Sequence, residues 1–328
     1  MAPATQMAAP PPRGGSFRVL RTARVAPSSP DGVPSLRQRA VPLTFLDAMW
    51  LPTPPVDRVF LYRLGAADDD VDAVLSRLAD SLSRVLHVFY PLAGRFRLTP
   101  GKTNRYELFY QPGDAVAFTV AEHDDGVGVD ELAADDPREV AKIAPLAPEL
   151  PDGGAVARRR RQQAPRHFHA VRRDPSEHQG YSRRRGGAPH CVGPCFASAP
   201  KKEIAAADAE DGLFTTCAAI AAAIDEGTRY DPGYWERCRE HVRGMSTSDG
   251  PPLAVAGSPR FRVYDVDFGF GRPAKVDVVS VAKTWAISVA EGRGGGIEVG
   301  VGLPPERMER FRRCFTDAVT WAIVAVVQ

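Results

Sequence analysis

The chain has 328 residues, with 42 Lys and Arg against 40 Asp and Glu, a formal net charge of +2, and 44% hydrophobic and 25% charged residues. That length leaves room for two domains, because single cores stop growing near roughly 250 to 300 residues, and the balanced charge excludes a bulk electrostatic case for nucleic acid or membrane. Five cysteines (Cys191, Cys195, Cys217, Cys238, Cys314), odd in number and without framework spacing, predict reduced thiols and a cytoplasmic location.

Residues 1–16 are rich in Ala, Pro and Gly and lack the continuous apolar stretch of a secretory signal, so a disordered tail is expected. Their arginines, with no acidic residue before Asp31, bear a faint likeness to a transit peptide. Residues 18–25 and 58–64 read as strands. Asp68, Asp69 and Asp70 then offer an N-cap and an acidic first turn. Val71, Val74, Leu75, Leu78, Leu82, Val85 and Leu86 recur at helical spacing, which predicts a helix with one buried face. Gly94 and the Pro100-Gly101 turn follow, and residues 106–110 and 115–120 bracket 111–114 as an expected pair of strands.

Between Arg158 and Lys202 the character changes. Arginine runs at 158–161, 172–173 and 183–185 and four of the seven histidines (His167, His169, His178, His190) come with almost no apolar period, so no core face is visible and disorder is expected. Three readings stand: a basic nuclear-localisation or nucleic-acid tail, a metal site, or sequence never selected to fold, such as an out-of-frame or mis-joined stretch. The Arg, Pro, Ala, Gly, His and Ser composition favours the last.

Beyond Ile204 order is expected again. Residues 217–224 are helical by propensity, and Pro232 suits the first turn of a helix running to 243. Strands are predicted at 260–264, 275–281, 285–289 and 296–301, with the glycines of 292–296 as the turn between the last two. Pro304 and Pro305 open a closing helix whose face carries Met308, Phe311, Phe315, Ala318, Val319 and Ala322. The apolar run at 321–327 is far shorter than the roughly 20 residues of a membrane span.

Three stretches carry a resemblance. The first is Val41-Pro-Leu-Thr-Phe-Leu-Asp47 with Trp50-Leu51 and Pro54-Pro55, the second His87-Val-Phe-Tyr-Pro-Leu-Ala-Gly-Arg95, and the third the pentad Asp267-Phe268-Gly269-Phe270-Gly271. In this order they resemble the plant BAHD family of acyl-CoA-dependent acyltransferases, in particular the clade acting on phenolic glycosides and anthocyanins. Phe270 stands where most members have tryptophan. The resemblance implies that the pentad is structural, a glycine-rich loop whose aspartate is held by a basic partner and which shapes the coenzyme A side of a channel. Gly269 and Gly271 around an aromatic also suit a tight loop with a buried ring.

The resemblance further implies a histidine base in a His-x-x-x-Asp motif, which takes the acceptor proton as the oxygen attacks a thioester. No such motif exists here: four residues after the seven histidines stand Pro91, Val127, Val171, Arg173, Ser182, Pro194 and Met245. His169, five residues before Asp174, is a very weak candidate, so no catalytic residue is assigned. His87 reads as a packed helix-end residue. His190, Cys191 and Cys195 lack a second ligand pair, and no metal site is expected.

The implied fold is α/β, a two-domain sandwich of the chloramphenicol-acetyltransferase type, incomplete in the middle. Its parts would be a tail at 1–16, a partial first domain at 17–157, the aberrant basic segment at 158–203 and a partial second domain at 204–328. The implied function is transfer of an acyl group, malonyl being the expected one, from acyl-CoA to a hydroxyl of a phenolic glycoside or anthocyanin. The co-substrate would be acyl-CoA and the acceptor a small phenolic, with no permanently bound cofactor, no membrane or nucleic-acid partner, and a monomeric state. Two alternatives remain: a catalytically inactive remnant or frame-disrupted product, and a basic nucleic-acid-interacting protein built around Arg158 to Arg185.

Overall fold

The computed structural model describes residues 17–44, 47, 56–64, 70–123, 127–147, 171–172, 192–193, 195–205, 209–229, 231, 233–245, 253–258, 260–284 and 286–327. The expectations for the tail at 1–16, the three arginine runs apart from Arg172, His167, His169, His178, His190, Pro232 and Trp285 lie outside those residues. In chain order the first part holds β1 (Phe17–Val25), β2 (Arg39–Pro42), β3 (Arg58–Leu61), α1 (Val71–Val88), β4 (Arg95–Leu98), β5 (Tyr106–Tyr110), β6 (Val116–His123), α2 (Val129–Leu132) and α3 (Val140–Ile143). After the two-residue strands β7 (Val171–Arg172) and β8 (Val192–Gly193) come α4 (Lys201–Ile204), α5 (Ala209–Thr228) and α6 (Tyr234–Met245). The last part holds β9 (Val255–Ser258), β10 (Lys275–Val278), α7 (Val281–Thr284), β11 (Ile287–Glu291), β12 (Ile297–Val301) and α8 (Pro305–Val327).

Helix α1 begins where Asp70 caps it, its carboxylate accepting the Ala73 amide at 3.0 Å, which satisfies one of the first-turn donors that have no partner inside the helix. Of the predicted apolar stripe, Val74 and Leu86 are buried, while Val71 and Val85 at its margins are exposed. Leu86 packs with Val25, Tyr90, Ala93 and Tyr110, joining α1 to β1 and β5 in one core cluster. The turn that follows needs glycine at 94. A Cβ there would press on the Phe109 carbonyl oxygen and lie 2.9 Å from its carbon, so β5 can approach only because the side chain is missing.

Strand pairing crosses the sequence widely. β1 pairs antiparallel with β6, β5 lies between β2 and β4, β11 lies between β12 and a parallel β9, and β3 pairs antiparallel with β10. The last pairing sets Leu61 opposite Lys275 and Arg58 opposite Val278. A second core cluster gathers on it, with Leu61, Leu132, Ala133 and Ile143 from the first part and Ala274 and Val279 from the last.

Several expectations are corrected. Residues 106–110 and 115–120 do form strands, but not a pair with each other: β6 joins β1 and β5 joins β2 and β4. Residues 260–264 are not a strand, because Arg262 sits at φ +48° and residues 263–265 turn as a short 3-10 helix. The strand expected at 275–281 stops at Val278, where the chain turns into α7. Helix α8 forms as expected, yet only Met308 and Phe311 of its predicted face are half-buried, and Phe315 and Val319 are exposed.

Candidate functional site

The pentad loop is organised by its own aspartate. Asp267 Oδ1 accepts the amides of Gly269 at 2.7 Å and Gly271 at 3.0 Å, and those two residues take φ of +94° and +95°, a region L side chains rarely adopt. Among the described residues no basic side chain holds Asp267. Arg272 pairs instead with Asp265 at 3.1 Å, and the donors that the described residues bring to Asp267 are backbone amides. The expected buried ring is only partly realised, since Phe270 is half-buried and Phe268 exposed. Both rings meet Tyr62 edge-on, at 5.0 and 5.8 Å between centroids. The Tyr62 hydroxyl donates to the Val266 carbonyl at 2.9 Å, and burial, with Asp267 nearby, raises its pKa. Tyr62 follows β3, so this contact docks the first part of the chain on the loop.

Next to the β3–β10 pairing lies a cleft of about 610 Å³. Its charged end is built on β10, where Lys275 and Asp277 stand two residues apart and therefore on one face. Asp277 accepts a bidentate pair from Arg138 at 2.6 and 2.8 Å, a geometry that suits the planar guanidinium. Arg138 also donates to the Leu132 carbonyl at 2.5 Å. Burial pulls the Arg138 pKa down, but the bonds to Asp277 outweigh it and leave it raised. Lys275 donates to Asp135 at 2.7 Å and to Glu298. Burial likewise depresses Lys275 and its two carboxylate partners more than restore it, while the hydrogen bond and charge of Lys275 hold Asp135 below the usual carboxylate range. Tyr264 donates to Glu298 at 2.6 Å, and burial first, that bond second, raise its pKa, so the phenol stays protonated. Helix α8 adds Met308, Phe311 and Phe315, with Arg312, to the lining.

This arrangement can hold an amphipathic molecule, with polar groups beside the charges and apolar ones against α8. Among the described residues, Asp135, Lys275, Arg138 and Tyr264 supply no proton acceptor suited to a hydroxyl. Asp135 is too weak a base once Lys275 stabilises its charge, Lys275 and Arg138 remain protonated, and Tyr264 acts as a donor. None of the described histidines lines the cleft. His87 lies half-buried in the last turn of α1, its Nδ1 enclosed without a hydrogen-bond partner; His123 ends β6; His241 sits on α6, where Nδ1 lies 3.0 Å from the Arg237 carbonyl and the ring stacks on Phe196. His169 falls outside the described residues. Among those residues no group of three or more His, Cys, Asp or Glu side chains could hold a metal ion, and no helix is long and apolar enough to cross a membrane. Sequence reasoning missed Arg138, Lys275, Asp277 and Tyr62. Only Lys275 and Asp277 left a trace, as two charges on the same face of an otherwise apolar strand.

Comparison with known proteins places these features. The profile of a family described as the Transferase family matches residues 17–150 and 213–318. Phenolic glucoside malonyltransferase 1 of Arabidopsis thaliana is 36% identical over 137 residues, which are 41% of this chain and 28% of that protein. A malonyl-coenzyme A:anthocyanin 3-O-glucoside-6''-O-malonyltransferase of Dahlia pinnata is 31% identical over 145 residues, 43% of this chain and 30% of the relative. The matched part thus spans less than a third of the length of either relative. The crystal structure of vinorine synthase superposes with a TM-score of 0.50 at 15% identity, covering 89% of this chain and 96% of that one.

Proposed function

The chain belongs to the BAHD transferase family and carries its chloramphenicol-acetyltransferase-type α/β fold, and from that premise we propose that it takes an acyl-CoA as co-substrate and passes the acyl group to a hydroxyl of a phenolic glycoside. Malonyl is the proposed group, because relatives named for malonyl transfer to phenolic and anthocyanin glucosides align with the chain at 31 to 36% identity. The observation that carries the proposal is the family match on both sides of the basic segment, at 17–150 and 213–318, since a shared ancestral scaffold of both halves is hard to reach by chance.

In the proposed reaction the acceptor hydroxyl loses its proton to a base as its oxygen attacks the thioester carbonyl. The carbon–sulfur bond then breaks and the departing thiolate takes up a proton, giving an ester and free coenzyme A. The described residues are assigned the scaffold for this step, and no residue of the chain is assigned as the base, His169 being only a very weak candidate. The pentad is assigned a structural part, holding the loop against Tyr62.

Binding tests the first half of the proposal. Titration of the full chain with malonyl-CoA followed by calorimetry should give saturable binding, weakened by free coenzyme A as competitor. Heat changes no greater than those of buffer would remove coenzyme A thioesters from the reading.

A further inference from the structure

We propose that β10 and its flanking loops form a docking surface whose partner is the 56–147 part of this same chain, and that the two hold together non-covalently without the polypeptide that connects them. The pairing of β3 with β10 is extended at both ends, by the Ala274 amide donating to the Leu61 carbonyl at 2.6 Å and the Val279 amide to the Asp57 carbonyl at 2.8 Å. Separation would leave two open strand edges. The core beneath is shared: Leu61, Leu132 and Ile143 come from one side and Ala274 and Val279 from the other, so neither part closes it alone.

Charge complementarity runs in both directions across the contact. The first part offers Arg138 to Asp277 and Asp135 to Lys275, so each side contributes one cation and one anion. Arg138 and Asp277 are each only 19% exposed, and a parting of the surfaces would leave each without its counter-charge. Tyr62 adds a hydrogen bond to Val266 and edge contacts to Phe268 and Phe270. These contacts use no residue between 148 and 252. The stretch from 151 to 212 is also where the family match is interrupted, so the interface lies wholly within the matched sequence.

The test cuts the connection in the intact protein. A recognition sequence for a site-specific protease is inserted between Arg161 and Gln162, the folded chain is cleaved, and the product is run on size exclusion at micromolar concentration. Both pieces should elute together at the volume of the uncut chain, and Asp277→Ala should release them after cutting while the uncut variant still elutes as one species. Wild-type pieces that elute apart would overturn the proposal. A cysteine pair, Arg58→Cys with Val278→Cys, gives a second readout at positions that face each other. Oxidised and then cut, it should run as one band on a non-reducing gel, whereas two bands would overturn the register on which the docking depends.

Discussion

At Arg138 and Asp277 the energetic question is what a nearly buried ion pair contributes. Both groups lose most of their water, and the bidentate bond with the further bond to the Leu132 carbonyl restores what burial takes away. The pair is therefore expected to be costly to break and cheap to replace. Arg138→Ala or Asp277→Ala alone should destabilise the chain by about 3 kcal/mol, because each strands the other charge, whereas Arg138→Met combined with Asp277→Leu should cost under about 1 kcal/mol. Urea denaturation of the three variants checks this, and additive losses in the double variant would show the two residues acting independently. In the sequence these partners stand 139 positions apart, and no spacing rule connects them. Asp267 shows the same locally: its hydrogen bonds to Gly269 and Gly271 follow from the loop's left-handed glycines, which the pattern Asp-x-Gly-x-Gly does announce, while the pairing of Arg272 with Asp265 rather than Asp267 is written in no local pattern.

Among the elements, α1 and the turn after it were the most legible, because their determinants are local. An acidic cap, an apolar stripe at helical spacing and a glycine at a close approach all act within a few residues. Gly94→Ala should cost about 2 kcal/mol through the backbone contact with Phe109, with a melting temperature lowered accordingly; an unchanged temperature would mean that β5 yields at no cost. The strands were read with less success. Residues 106–110 and 115–120 alternate like a hairpin, yet Arg24, paired opposite Ala117, and Leu98, paired opposite Tyr106, show that each found its partner elsewhere in the chain. Periodicity fixes which face of a strand is apolar and says nothing about its neighbour. The run at 260–264 failed for a backbone reason, the positive φ of Arg262, to which no side-chain pattern is sensitive. Helix α8 shows the reverse: its amphipathic period is real, but among the described residues little covers Phe315 and beyond.

Taken whole, the molecule joins two family-matching stretches through β3 and β10, and the cleft beside that junction has the makings of a binding site, with no histidine among its described lining residues. The fold class and the family were legible because three motifs stand in order and each survives as text. The cleft was not, since its charges come from residues 135–138, 275–277 and 293–298 and become one site only after the chain has folded. If coenzyme A binding and chemistry both persist, the missing His-x-x-x-Asp motif has been replaced; if binding persists alone, the scaffold has outlived its reaction. A general base is typically worth about 10²- to 10⁴-fold in rate, so a substitute held less rigidly should give slow but measurable turnover. The direct measurement is incubation of the full chain with malonyl-CoA and a phenolic glucoside, with mass-spectrometric detection of the ester and of free coenzyme A. The malonylated glucoside and coenzyme A are expected in equal amounts. Coenzyme A released without ester, or no product from a folded chain that binds the thioester, would contradict this.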